Sequence, residues 1–407
     1  MPLKAITFLG NPPKTKERPF GYDQKCYQAT DGSGATCESP FVARAICQFY
    51  QPDELYVLST AESFANHWTN LVAHLEDQIV PVPIEIPTPT NDEQIWQFFQ
   101  KITALIQADD DLIFDVTLAF RSIPILALLA ANLLRVVRGT TVRALTYAEV
   151  NYGVDEAPIH DLRRLVQLMD WTTATDAFLK YGRADDLIAL ARHDAGDALT
   201  RLADSLQTLT IGLQTSRPTE VQVTAATLEA HLQAVRANPA TPAPIGLLLD
   251  RISAEYTPLG HEVPTEPSQA EEVLRGQAAI MAWYVTKGMY VQAITLAREW
   301  LVSWVVARAQ GNLFAEEERA LAESAINKPH NHTARIYDRQ QRKERQVVVP
   351  PAMRAAAQHR LVASLWKRTR DLRNDLGHTG MRINPRLAAD VEHQVKEVCR
   401  RIPELLT

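Results

Sequence analysis

Arg373-Asn374-Asp375-Leu376-Gly377-His378 brings an arginine, a carboxamide and a histidine together beside a glycine. Read as R-N-x-x-x-H, the set suits cleavage of RNA without a metal. An imidazole can take the proton of a 2′-hydroxyl, or return one to the leaving oxygen, at neutral pH. A guanidinium offers a forked, permanently charged donor to the developing phosphorane. Asn374 can orient either group. On an unbroken helix, positions 373 and 378 lie about 140° apart, so they converge only if the chain turns after Leu376. Gly377 is the residue expected to turn, because glycine accepts the left-handed conformation that ends helices. The plainer reading is a surface arginine and a histidine capping the last carbonyls. The string alone leaves both open.

The elements that must position these groups follow from periodicity. Leu361, Leu365, Leu372 and Leu376 recur at helical spacing, which puts the motif at a helix C-terminus, on a helix opening at Pro350-Pro351. The last helix runs from Pro385, with Leu387, Val391, Val395, Val398 and Ile402 on one face. Upstream, 271–287 and 290–309 form a helical hairpin broken at Gly288, and its Trp283, Trp300 and Trp304 are read as packing residues. Between hairpin and motif, 328–345 is a basic run, expected as a solvated loop or as a contact for an RNA backbone. His330 and His332 lie in it without nearby carboxylates or cysteines, and no metal is assigned to them.

The first 155 residues alternate short apolar runs with helical patterns. Strands are expected at 4–9, 54–59, 112–116 and 141–147, with an edge strand near 79–86 where Pro81 and Pro83 fall. Helices are expected from Ser39-Pro40 to about Tyr50, after Thr60-Ala61-Glu62, after Asn91, and over 124–137, with a polar loop between Gly10 and Ser39. The alternation implies a parallel, doubly wound α/β sheet. Its ligands would sit at the carboxyl ends of the strands: Gly10-Asn11, Ser59-Thr60, 117–122 and Ala148-Glu149. In 117–122, hydroxyls and the Arg121 guanidinium precede a helix N-terminus, a natural seat for phosphate. Equally, Arg121 suits a local ion pair and Ser122 an N-cap. G-x-G-x-x-G is absent, which argues against a nicotinamide or flavin enzyme.

A helical stretch follows, at 160–169, 174–181 and 187–213, and then six prolines between 237 and 269 that mark a connection. The sequence divides as 1–155, 156–268 and 269–407. A formal charge of −6 argues against coating nucleic acid through a net field. Cys26, Cys37, Cys47 and Cys399 show no C-x-x-C pairing and suit a reducing cytoplasm, so neither a zinc site nor a disulfide framework is expected. No signal peptide and no membrane span are read, and a cytoplasmic protein is expected.

Taken in order, these segments resemble the CRISPR-associated CARF–HEPN ribonucleases of type III systems. The likeness is carried by Ile6–Gly10, by 114–124 (FDVTLAFRSIP), by Arg373–His378, and by 159–189 with its Asp170-Trp171 and Tyr181-Gly182. It implies a Rossmann-like CARF sensor followed by a helical HEPN domain, acting as a homodimer. The sensor would bind cyclic oligoadenylate, with cyclic tetra-adenylate first and the hexamer second. Gly10, Asn11, Thr60, Thr117, Arg121 and Ser122 would line that site. Arg373 and His378, assisted by Asn374, would cleave single-stranded RNA with no cofactor, leaving a 2′,3′-cyclic phosphate. The family's T-H-G-F-R-S is here Thr117-Leu118-Ala119-Phe120-Arg121-Ser122, with a histidine and a glycine replaced. Two other readings stay open: a non-catalytic nucleotide-sensing regulator that binds nucleic acid or a protein, and a constitutively active toxin.

Overall fold

The computed structural model describes residues 2–12, 21–87, 91–118, 123–151, 153–193, 196–239, 241–261, 269–338, 343–381 and 383–406. The chain falls into two compact units, Met1–Met169 and Asp170–Thr407.

In the first unit the strands are β1 (Leu3–Leu9), β2 (Lys25–Ala29), β3 (Thr36–Ser39), β4 (Glu54–Ser59), β5 (Val82–Glu85), β6 (Asp111–Asp115), β7 (Thr141–Ala148) and β8 (Glu156–Asp161). They form one sheet in the order β3-β2-β8-β7-β6-β1-β4-β5. From β7 to β5 every pairing is parallel, with Leu9 beside Ser59 and Ile6 beside Phe114. Buried strands of this kind must be apolar on both faces, and β1 shows why they hold. Ala5 and Leu9 pack with α1 (Val42–Tyr50) and α2 (Ala61–Leu75), through Ile46, Leu71 and Leu75. Ile6 and Phe8 pack on the other face with α3 (Asp92–Leu105) and α4 (Ile123–Arg138), through Phe98, Ile102 and Leu134. The doubly wound sheet is therefore present, with β5 at its edge, where Pro83 is tolerated.

The sheet is nevertheless mixed. β8 runs antiparallel to β7, β2 pairs parallel with β8, and β3 pairs antiparallel with β2. The sequence reading had a polar loop at β2–β3 and a helix beginning at His160. β2 and β3 are too short and polar to stand out, and Pro158 disguises β8. Pro158 still accepts a bond from the Glu149 N–H through its carbonyl. Ser39 ends β3 instead of capping α1. Its hydroxyl takes the Phe41 N–H at 3.0 Å, and the helix starts at Val42.

The next helix, α5 (Arg163–Tyr181), begins in the first unit and ends in the second. The second unit continues with α6 (Asp185–His193), α7 (Asp197–Gln214), α8 (Pro218–Arg236), α9 (Ala243–Tyr256), α10 (Ala270–Thr286), α11 (Tyr290–Arg308) and α12 (Glu316–Asn327). After a β9–β10 hairpin (Thr333–Asp338, Lys343–Val348) come α13 (Pro351–Ala357), α14 (Arg360–Gly377) and α15 (Ala388–Arg401). Gly288 takes φ +70° between α10 and α11, as the hairpin reading needs. Trp283, Trp300 and Trp304 are buried, and each indole N–H is satisfied, by Glu255 and by the carbonyls of Leu274 and Leu405 respectively. That is how buried tryptophans pack.

Three local expectations are corrected. The run 328–345 is largely a hairpin, because Ala334 and Ile336 turn inward against α12 on either side of exposed Arg335. Its tip, 339–342, lies outside the described residues. Pro350-Pro351 opens the short α13, and extended backbone at His359 separates it from the motif helix. Leu387 is exposed at the N-cap of α15 instead of belonging to its buried face. Among the described residues, no helix is long and apolar enough to cross a membrane.

Candidate functional site

α14 is held in one rotational setting. Val362, Leu365, Thr369 and Leu372 are buried beneath it. On one flank Arg368 makes a bidentate pair with Glu397 of α15, at 2.8 and 2.6 Å, and holds that carboxyl below its usual range. On the other flank the Trp366 indole donates to Asn327 Oδ1 at 3.0 Å, and the Arg298 guanidinium lies 5.3 Å from its ring. What remains turned outward includes Arg373, Asn374, Gly377 and His378, all exposed. None of the three motif side chains forms a hydrogen bond or ion pair with another described residue.

The expected turn at Gly377 is not where the helix ends. Gly377 is still helical, and His378 is the C-cap at φ −93°. The left-handed residues are Thr379 at φ 51° and Gly380 at φ 69°. The Thr379 N–H bonds the Leu376 carbonyl at 3.0 Å and the Gly380 N–H bonds the Asp375 carbonyl at 3.1 Å, the two bonds of a Schellman ending. Asp375, two residues before Gly377, is buried, so the helix is still packed where glycine was expected to end it. The consequence is geometric: Arg373 and His378 stay on different sides of one helix, about 140° apart.

At the carboxyl edge of the sheet, the strand order seats the ends of β7, β6, β1 and β4 side by side. Gly10, Asn11, Thr60 and Thr117 all lie along this edge. A Cβ at Gly10 would sit 3.6 Å from the Leu118 Cβ, so the β1 and β6 loops touch. Asn11 Oδ1 accepts from Asn66 at 3.1 Å. Thr60 is committed to α2, its hydroxyl accepting the Ser63 N–H at 3.2 Å as an N-cap. Arg121 and Ser122 lie outside the described residues.

Thr117 is turned into the protein. Its hydroxyl donates to Asp115 Oδ1 at 2.5 Å and accepts the Ala148 N–H at 2.8 Å, which ties the end of β6 to that of β7. With its one proton used, the residue shapes the loop and has no donor left for a ligand. Asp115 also takes the Thr7 hydroxyl at 2.6 Å and the Thr117 N–H at 3.2 Å. Burial pushes its carboxyl above the usual aspartate range, against the pull of these bonds.

Sequence reasoning missed Asp115 and Tyr22 as supports of this edge. The Tyr22 hydroxyl donates to the Gly10 carbonyl at 2.8 Å, and its ring packs against Phe41 and His67. Asp115 had one visible signal, a carboxylate closing an apolar strand. Tyr22 had none, because its partners are distant in sequence. Among the described residues, no three His, Cys, Asp or Glu side chains gather as a metal cage.

Residues 167–258 match the family model described as CRISPR-associated protein MJ1674, second domain. The likeness is that of this helical stretch to one domain of a CRISPR-associated protein. It overlaps the stretch 159–189 on which part of the resemblance rested, and it reaches neither the sheet edge nor the motif. A solved structure of Enterococcus italicus Csm6 bound to cyclic hexa-2'-fluoro-hexa-dAMP covers 99% of this chain and 93% of its own, at 10% identity and a TM-score of 0.47. Likeness at that level assigns no role to any residue here. No curated relative matches the chain by sequence.

Proposed function

We propose that the chain is a sensor–effector ribonuclease of type III CRISPR defence. Residues 1–155 bind a cyclic oligoadenylate, 156–268 connect, and 269–407 cleave single-stranded RNA. The observation that carries the reading is the exposed Arg373, Asn374 and His378 at the end of α14, held by a packed helix and engaged with no other described side chain.

Cleavage proceeds by attack of a 2′-hydroxyl on the adjacent phosphorus. His378 moves the proton, Arg373 faces the phosphorane charge, and Asn374 orients the attack. The new bond is P–O2′ and the broken bond P–O5′. The oxygen that leaves gains a proton, giving a 2′,3′-cyclic phosphate and a 5′-hydroxyl. The reaction needs no metal.

A homodimer supplies what one copy lacks. Arg373 and His378 lie on different sides of α14, so a composite cleft draws each from a different copy or flanks the RNA with both. Two exposed apolar surfaces fit such pairing. Met381, Ile383 and Leu387 follow the motif, and α4 carries Ile125, Leu129, Leu133 and Val136 outward at helical spacing. A two-fold through α4 would bring two carboxyl edges around one ring-shaped activator. Gly10, Asn11, Thr60, Thr117, Arg121 and Ser122 line it, with Thr117 acting through loop shape.

The test is cleavage of a fluorescent single-stranded RNA in EDTA, with cyclic tetra-adenylate, with cyclic hexa-adenylate, or with neither. The His378→Ala chain is assayed beside it. We expect cleavage only with a ring present, and a loss of at least about 100-fold on removing the general acid–base group. Cleavage independent of both rings would remove the sensor from the account. Silence with either ring would favour the non-catalytic regulator.

A further inference from the structure

α14 holds five cations and two carboxylates in a chain whose net charge is −6. Their placement is not even. Arg360, Lys367 and Asn374 recur every seven residues, and His378 follows four later. On a helix these four fall within about 40° of one another. All four are exposed, and the buried stripe of Val362, Leu365, Thr369 and Leu372 lies opposite. Arg360 and Lys367 form no ion pair with any described residue. Arg370 flanks the row and touches Asp371 at 3.4 Å, the one acidic side chain of this face. Arg368 is committed to Glu397, and Asp375 is buried.

We propose that this face is a track for the backbone of single-stranded RNA, leading along α14 to Asn374 and His378. The inference rests on the ribonuclease reading and extends it to how substrate is held. Its occupant follows from charge. Two cations at helical repeat that pair with no described residue, with a third able to exchange Asp371 for phosphate, line up with the group that moves the proton. The helix carries no apolar side chain larger than Ala363 on this face, which leaves little for a protein partner to bury. Its 18 residues span about 27 Å, enough to hold several nucleotides. Phosphate contacts of this kind position a strand without reading its sequence.

The test uses the full-length chain with Arg360→Gln and Lys367→Gln together, and a Lys367→Arg control. RNA binding is measured by fluorescence anisotropy across salt concentrations in a His378→Ala background, and KM for cleavage is measured with His378 intact. Loss of two phosphate contacts should flatten the slope of log affinity against log salt by about 1.4. KM should rise several-fold, and Lys367→Arg should preserve the slope. An unchanged slope and KM would overturn the track. So would a change of oligomer mass in place of a change in RNA affinity, which would make the face a contact between copies. The binding arm needs no cleavage. A nuclease that stays silent therefore sinks the catalytic reading and leaves the salt slope to judge the track.

Discussion

At Asp115 a fully buried carboxyl gathers the hydroxyls of Thr7 and Thr117 and fixes where the β6 loop leaves the sheet. Because burial raises its pKa, the folded chain holds this proton more tightly than the unfolded chain does. Its stabilising contribution is therefore complete below the ordinary aspartate range and is lost as the pH rises through the raised value. Asp115→Asn removes that titration at nearly constant shape. Urea midpoints measured across pH should fall less steeply for the variant as pH rises, and parallel curves would contradict the assignment. Thr379 presents a different residue-scale effect. A β-branched side chain at φ 51° costs about 1–2 kcal/mol relative to a glycine there. The strain sits one residue beyond His378, where the Schellman bonds hold it.

Two helices bear most of the argument at the next scale. α4 is apolar nearly all round: Leu126, Ala127, Ala130, Ala131 and Leu134 face the sheet, and Ile125, Leu129, Leu133 and Val136 face outward. A helix of that pattern belongs inside something. Burying one leucine contributes about 1.5–3 kcal/mol. If α4 is the contact of the proposed homodimer, Leu129→Lys with Leu133→Lys should thus weaken self-association by about 100-fold or more. Light scattering at micromolar chain should then report a monomer, and a dimer of undiminished mass would exclude α4 as the contact. α14 shows the opposite pattern, with its two flanks locked by Arg368–Glu397 and by Trp366–Asn327 and one face left to solvent.

For the whole molecule, the angle of about 140° between Arg373 and His378 on one helix is what the proposed composite cleft must reconcile. If the cleft is composite, the inactive Arg373→Ala and His378→Ala chains should regain part of the activity when mixed and allowed to exchange subunits. Each mixed pair would hold one intact guanidinium and one intact imidazole. A mixture as dead as its parts would require both groups from the same copy.

The sequence by itself determined the alternating β/α order, the apolar strands with their shared carboxyl edge, the glycine break between α10 and α11, and the helix that ends in the motif. These are written in local periodicity, and local periodicity survives without tertiary context. β2, β3 and β8 were illegible because short polar strands, one with a proline, are stabilised by the neighbours they pair with. The same holds for Tyr22 and Asp115, whose meaning lies in contacts far along the chain. The end of α14 makes the point most sharply. Glycine preference named Gly377, yet in the fold the helix runs on through Gly377 with Leu372 and Asp375 buried, and Thr379 and Gly380 take the left-handed turn.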